Sequence, residues 1–190
     1  MLGKFNIKDL EFDYFHHEYN KTYLNERIVE VPLGMYFIDK FGAENITEIG
    51  AVMPYYGYQC KEVIDMRDPH NMCYRKNAAY NVEYTKKNIL SISTIEHFKI
   101  GEYKNRTNQD SIICLNKIIE KSSNYLITWA LGYNKFLDEY VKNSSIKTII
   151  LKRINEQNEW IVDHSFDHKY NSPFNYGNAI CVVTNLIELL

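Results

Sequence analysis

Glycine, proline and cysteine are scarce in this chain, which has 8 glycines, 4 prolines and 4 cysteines among 190 residues. No stretch rich in proline, glycine or serine interrupts it, and no repeat divides it, so the sequence predicts a single domain. The cysteines never form a C-x-x-C pair: Cys60, Cys73, Cys114 and Cys181. This spacing argues against a disulfide scaffold and a zinc site, and it predicts reduced thiols and no bound metal.

An excess of charge of one sign is also lacking, as are long apolar runs. The formal net charge is −2 and the pI is about 6.3, so we expect no general attraction for a nucleic-acid backbone and no nucleic-acid partner. No run approaches the ~20 apolar residues of a membrane span, and the first residues lack the apolar core of a signal peptide. The sequence predicts a cytoplasmic protein with no membrane partner and leaves its oligomeric state open.

What the sequence does contain is an alternation of short apolar runs with longer amphipathic stretches. The runs rich in β-branched or aromatic residues predict strands at 46–49, 62–66, 88–92, 125–131, 146–151 and 179–184. The stretches with the apolar spacing of helices are 29–41, 108–121 and 133–141. Strands that alternate with helices predict an α/β fold with a doubly wound, mostly parallel sheet.

The two ends of the chain depart from this alternation. The last two predicted strands follow one another without a clear helix, which favours an antiparallel hairpin at the sheet edge and leaves 153–178 as a long irregular connection. The first residues are mixed polar and aromatic. We interpret 1–28 as an N-terminal cap or lid and 29–190 as the α/β domain, and we expect 14–27 to fold over a bound ligand.

Candidate binding residues follow three of the predicted strands. Ligands of a doubly wound sheet bind beyond the carboxyl ends of the strands, where the strand order reverses. Gly50 would let the backbone turn sharply after the first strand. Asp65, at the end of the second, could accept two hydrogen bonds from a ribose diol. S-I-S-T-I-E-H follows the third at 91–97. Each alone has an ordinary explanation as a turn or cap, and it is their order and spacing that favour a site.

This arrangement resembles the class I S-adenosylmethionine-dependent methyltransferases, and most closely a small bacterial and viral group. The similarity rests on N-E-R-I-V-E-V-P at 25–32, E-I-G at 48–50, I-D at 64–65 and S-I-S-T-I-E-H at 91–97, with further matches downstream. It implies a Rossmann-like methyltransferase fold and S-adenosylmethionine as cofactor.

The resemblance also implies roles for single residues. Those it places at the cofactor are Arg27, Glu48, Gly50, Asp65, Met66, Asn77, Ala78 and Ser93. Asp65 would hold the ribose hydroxyls, and the planar guanidinium of Arg27 would pair with the cofactor carboxylate. The implied acceptor is a hydroxyl of a small polar molecule, such as a sugar.

Methyl transfer to such an acceptor needs alignment and a route for the acceptor proton. His97 is the expected general base, because histidine titrates near neutral pH. Glu96 would orient His97 or bind the acceptor. The alternative is that Glu96 serves only the cofactor pocket and that His97 caps the following loop.

The first crossover departs from the methyltransferase pattern. Gly50 is followed by A-V-M-P, so the second glycine of a G-x-G arrangement is missing. The chain from Gly50 to Glu62 is too short for a full helix, and Pro54 suits the first turn of a very short one. Two other classes of function therefore stay open: a methyltransferase-like binding module without turnover, and an enzyme with another adenosine-containing cofactor.

Overall fold

The structure, a computed structural model, describes residues 3–65, 78–98 and 108–190. The strands in these ranges are β1 (Lys4–Ile7), β2 (Leu10–Asp13), β3 (Ile46–Ile49), β4 (Glu62–Ile64), β5 (Asn88–Ile92), β6 (Asn124–Ala130), β7 (Thr148–Arg153), β8 (Trp160–Asp163) and β9 (Ala179–Thr184). The α-helices are α1 (Arg27–Phe41), α2 (Ala78–Asn81), α3 (Asn108–Lys121) and α4 (Lys135–Lys142). Short 3-10 helices occupy Tyr19–Leu24, Ala43–Asn45, Met53–Tyr56 and Ile95–His97.

Seven of these strands form one mixed sheet in the order β4-β3-β5-β6-β9-β7-β8, while β1 and β2 pair as a separate hairpin. β3 is parallel to β4 and to β5, and β5 is parallel to β6. β9 runs antiparallel to both β6 and β7, so β7 has the direction of the parallel strands. Five of the seven strands therefore share one direction, and the predicted doubly wound, mostly parallel sheet is confirmed.

An antiparallel hairpin lies at the sheet edge, as predicted, but β7 and β8 form it. The prediction assigned this hairpin to β7 and β9, and it left β8 within the irregular connection. β9 instead inserts between β6 and β7, where all six of its residues are buried. A continuously apolar run such as A-I-C-V-V-T is typical of a strand covered on both faces, whereas an edge strand is shorter and more polar.

Two hydrophobic clusters cover the two faces of the sheet. Neighbouring strand residues alternate between them: Leu90 packs in one cluster and Ile89 in the other. The first cluster contains the apolar side chains of α1 and of the β1–β2 hairpin, including Phe5 and Phe12. The second contains those of α3 and α4. The prediction that residues 1–28 act as a lid stays a prediction, but their hairpin is part of the hydrophobic core.

The first crossover is as short as the sequence indicates. Between β3 and β4 the chain makes a single 3-10 turn, Met53–Tyr56, with Pro54 near its start. The predicted helix at 29–41 begins two residues earlier, at Arg27, and that extension brings Arg27 into the site described below. Within the described residues, no helix is both long enough and apolar enough to cross a membrane.

Candidate active site

The strand order reverses at β3, because the chain passes from β3 to β4 on one side and then to β5 on the other. The carboxyl ends of β3 and β5 therefore border the crevice where doubly wound sheets bind ligands. Gly50 follows β3 with φ of 88°, and a Cβ atom there would lie 1.9 Å from Oγ1 of Thr94. Only glycine permits this backbone angle and this close approach of the two strand ends.

Glu48, on β3, is fully buried, and only one of its two carboxyl oxygens accepts hydrogen bonds. Its Oε1 accepts hydrogen bonds from the backbone amides of Val52 at 2.9 Å and Met53 at 2.8 Å, and so holds the 3-10 turn of the crossover. Its Oε2 has no hydrogen-bond partner among the described residues. Burial raises the pKa of Glu48 to about 8. A buried carboxyl oxygen without a donor is costly, which makes it a candidate ligand contact.

Asp65 lies directly after β4, at the same edge of the sheet. Its Oδ2 accepts a hydrogen bond from the backbone amide of Ala51 at 3.0 Å, which ties the β4 end to the β3 end. Ala78, the first residue of α2, is buried, and its carbonyl accepts a hydrogen bond from the Tyr84 hydroxyl at 2.6 Å. Met66 and Asn77, the other residues predicted near the adenine, lie outside the described residues.

Glu30, in the first turn of α1, joins the helix to the ends of β5 and β6. It is fully buried and accepts hydrogen bonds from the Ser93 hydroxyl at 2.8 and 3.0 Å and from the Thr128 hydroxyl at 2.7 Å. Arg27 lies one turn earlier on the helix, and its guanidinium forms an ion pair with Glu30. Ser93 has φ of 37°, and its amide donates to the Thr128 carbonyl at 2.9 Å.

Two further buried carboxyls, Glu26 and Glu96, complete the cluster. Oε2 of Glu26 accepts a hydrogen bond from the Gly177 amide at 2.9 Å. Glu96 is 1% exposed, and its Oε2 has no hydrogen-bond partner among the described residues. Burial, reinforced by the negative charge of Glu30, raises the pKa of Glu26 and raises that of Glu96 well above its ordinary value. We call Glu26, Glu30, Glu48 and Glu96 the acidic cluster.

Besides Arg153, which acts on Glu26, the cation that acts on this cluster is Arg27. Its positive charge lowers the pKa of Glu26, Glu48 and Glu96, against the larger effect of burial. Because burial raises the pKa of three of these carboxyls, an added positive charge in the crevice would favour their ionised forms and be stabilised by them. The described residues contain no group of three or more His, Cys, Asp or Glu side chains arranged to hold a metal ion.

His97 ends the 3-10 turn after β5 and is half-buried. Its ring packs edge-on against Tyr133 with centroids 4.7 Å apart, and Tyr133 packs edge-on against Tyr170 at 5.0 Å. Asn134 holds the backbone beside it, since its Nδ2 donates to the carbonyl of Glu96 at 3.0 Å. The turn thus buries Glu96 within electrostatic reach of Arg27 and leaves His97 half-buried beside the β5 end, the border of the crevice that we call its rim.

Sequence reasoning missed Glu26, Glu30 and Tyr170. One local signal was present for Glu30, a single acid within the apolar run I-V-E-V at 28–31 of a helix that packs in the core. A charged residue in such a run is rarely fully buried unless it is paired. Its spacing from Arg27, three residues along a helix, was the second signal. No local signal marked Tyr170, which lies in the irregular connection before β9.

The chain is similar to solved structures, at low sequence identity. No protein-family model matches the chain, and no curated protein matches it. Among solved structures, the chain is similar to a "putative rRNA-methylase" from Clostridium thermocellum, with 13% identity, a TM-score of 0.46, and coverage of 82% of this chain and 97% of that one. It is also similar to a "putative methyltransferase" from Streptococcus mutans in complex with SAH, with 12% identity, a TM-score of 0.46 and the same two coverages. At TM-scores below 0.5, these likenesses settle neither the family nor the activity of this chain.

Proposed function

We propose that the chain is an S-adenosylmethionine-dependent methyltransferase that acts on a hydroxyl of a small polar acceptor. The observation that carries the proposal is the acidic cluster at the point where the strand order reverses. Two of its buried oxygens, Oε2 of Glu48 and Oε2 of Glu96, have no hydrogen-bond partner among the described residues. A ligand that brings a positive charge and hydrogen-bond donors would satisfy both needs at once.

S-adenosylmethionine fits these residues by its chemistry. It carries a sulfonium and an ammonium group, which the acidic cluster would stabilise inside a region of low dielectric. Its carboxylate would pair with Arg27, whose contact with Glu30 uses one guanidinium nitrogen, Nη1. Asp65, tied to the β3 end through Ala51, would hold the ribose diol. Bound there, the cofactor supplies an electrophilic methyl group.

The residues of this chain would then orient the acceptor and take its proton. His97 is the proposed general base, held at the rim by its contact with Tyr133. Buried Glu96, one residue earlier, would accept a hydrogen bond from the acceptor or from the cofactor. Closure of the crevice would exclude water and strengthen each of these electrostatic contacts.

One observation favours the second candidate, a binding module without turnover. The Thr94 side chain fills the space beside Gly50. The absence of a side chain at Gly50 is therefore explained by the packing of Thr94 and does not require a ligand. In that case the acidic cluster would be a structural network that links α1 to the sheet. Cofactor binding separates the two functions.

Calorimetry is expected to show that S-adenosylmethionine binds more tightly than S-adenosylhomocysteine, which lacks the sulfonium charge. The added positive charge lowers the pKa of Glu48 and of Glu96, which burial raises in the free protein. Binding of S-adenosylmethionine should therefore release protons near neutral pH. Its affinity should rise with pH until it levels off above about 8, as Glu48 ionises. Heats measured in buffers of different ionisation enthalpy count the protons released.

The matched variant for this experiment is Glu96→Gln, which keeps the shape of the side chain and removes its charge. We expect it to weaken S-adenosylmethionine binding by about tenfold, or ~1.4 kcal/mol, and to change S-adenosylhomocysteine binding little. Equal affinities for the two ligands, with no proton release, would remove the acidic cluster from the cofactor site. Binding of neither ligand would favour the binding module.

His97→Ala is expected to lower turnover by about 10²-fold and to leave cofactor affinity largely intact, because a general base acts on the acceptor and not on the cofactor. Single-turnover methyl transfer measured against pH is the readout. The loss should shrink at alkaline pH, where the acceptor hydroxyl ionises without help. A loss of only a few-fold at all pH values would mean that His97 is a loop residue.

A further inference from the structure

Next to His97, the rim of the site carries two tyrosine rings that the proposed chemistry does not use. His97, Tyr133 and Tyr170 stand in edge-to-face contact at 4.7 and 5.0 Å, with interplanar angles of 64° and 80°. All three are half-buried, so each presents part of its ring to solvent. We call this row the aromatic rim. It begins at the proposed general base, which is where the acceptor must lie.

The aromatic rim borders the acidic cluster. Burial raises the pKa of Tyr170 to about 12, and the negative charges of Glu26 and Glu96 act on its hydroxyl in the same direction. These carboxyls are therefore within electrostatic reach of the end of the row. Glu26 is itself held beside this part of the chain by the Gly177 amide at 2.9 Å. A cationic ligand on the aromatic rim would contact the exposed parts of these rings and would favour the ionised forms of the nearby buried carboxyls.

The position of Tyr170 is built into the fold. Gly132, two residues after β6, has φ of 82°, and a Cβ atom there would lie 2.6 Å from the Tyr170 amide nitrogen and 2.7 Å from the His168 carbonyl. The connection before β9 thus crosses the end of β6 at the closest approach that glycine permits. The His168 ring pairs with Asp163 of β8 at 2.9 Å, which anchors the same segment on its other side. Tyr170 is held in place on both sides.

We propose that the aromatic rim is the acceptor subsite and that the acceptor is an arylalkylamine, a planar ring with a positively charged ammonium substituent. The inference rests on the proposed function, which places the acceptor beside His97. A planar ring gains stacking energy from aromatic side chains, and a cation gains from both ring faces and carboxyls. Acceptors that carry a phosphate or carboxylate gain neither of these cation contacts.

Binding of simple probes tests this without any methyl transfer. Tyramine has a phenol ring and an ammonium group, 4-hydroxyphenylacetate has the same ring with a carboxylate, and methyl glucoside is a neutral sugar without a planar ring. We expect tyramine to bind at least tenfold more tightly than either of the others, by ligand-observed NMR on the full chain with and without S-adenosylhomocysteine. The charge preference should weaken in the Glu26→Gln variant.

Tyr170→Leu removes one ring of the aromatic rim and is expected to weaken tyramine binding by about fivefold, a typical loss for one cation–π contact. The matched control is Tyr125→Leu, a half-buried tyrosine at the opposite end of β6, which should leave tyramine affinity unchanged. If both variants weaken binding equally, the effect is global and the subsite is wrong.

The outcomes separate this inference from the proposed function. If S-adenosylmethionine binds and tyramine shows no preference over the carboxylate probe or the sugar, the acceptor class is wrong and the methyltransferase proposal stands. If tyramine binds with the expected preference and neither cofactor form binds, the aromatic rim is confirmed as a ligand site and the methyltransferase proposal falls.

Discussion

Glu30→Ala is expected to lower the free energy of unfolding by about 3–5 kcal/mol, because it would leave the Arg27 guanidinium in the interior without its partner. The same change strips the Ser93 and Thr128 hydroxyls of the acceptor that both use. Each buried hydroxyl without an acceptor adds about 1–3 kcal/mol of cost if no water replaces it. Urea denaturation at neutral pH measures the loss. Few single substitutions on this chain should cost more.

The control for that result is the exposed ion pair between Lys4 and Glu11, whose side chains are 50% and 57% exposed. Glu11→Ala removes the same residue type from a solvated pair and should change the free energy of unfolding far less than Glu30→Ala. Adding Arg27→Met to Glu30→Ala should recover part of the stability, since it removes the unpaired charge. Equal costs for Glu30→Ala and Glu11→Ala would show that the buried pair is well solvated.

Gly50→Ala should cost about 2–5 kcal/mol, the sum of a left-handed backbone strain of ~1–2 kcal/mol and ~1–3 kcal/mol for the displacement of Thr94 beside the β5 end. The clash distance of 1.9 Å leaves no room for a methyl group unless the Thr94 side chain moves. We also expect the variant to bind S-adenosylmethionine more weakly, because the crevice would widen. Thermal unfolding and calorimetry of the same preparation measure both effects.

Gly57 provides a matched control seven residues away. It has φ of 90°, close to that of Gly50, but a Cβ atom there would meet nothing within 4 Å. Gly57→Ala therefore carries the backbone strain alone, about 1–2 kcal/mol. The difference between the two alanine variants isolates the contact with Thr94, and Thr94→Gly in the Gly50→Ala background should recover much of it. A Gly50→Ala variant no less stable than Gly57→Ala would mean that Thr94 rotates away freely.

The elements of the fold are largely predictable from the sequence, because their signals are local. Apolar periodicity identified β3, β5, β9 and α3 with the bounds that the structure has. The order of the strands in the sheet, in contrast, is not predictable from local signals. β6 pairs with β9 in a register that joins Leu126 to Thr184, and no property of either segment specifies that partner. β8 was missed because W-I-V-D is short and has polar flanks.

The candidate site likewise contains some residues that local signals predict and others that depend on tertiary packing. Gly50, Asp65 and the segment from Ser93 to His97 follow strands that the sequence reveals, and topology places such strand ends at one edge. The role of Glu30 depends on hydroxyls that lie 63 and 98 residues further along the chain. Its burial is decided by tertiary packing of α1 against the sheet. A sequence shows that an acid interrupts an apolar face. The hydrogen-bond partners that stabilise the buried acid come from elsewhere in the fold.

The insertion of β9 between β6 and β7 has a consequence for how the protein is made. β6 and β7 pair with β9 and not with each other, so before residues 179–184 leave the ribosome the nascent chain holds two separate pieces of sheet. Each piece presents an unpaired apolar edge, which is the kind of surface that recruits other chains. The connection that carries Tyr170 runs directly into β9, so the aromatic rim can take its final form only when that strand is seated. Closure of the sheet and completion of the site therefore occur in the same step.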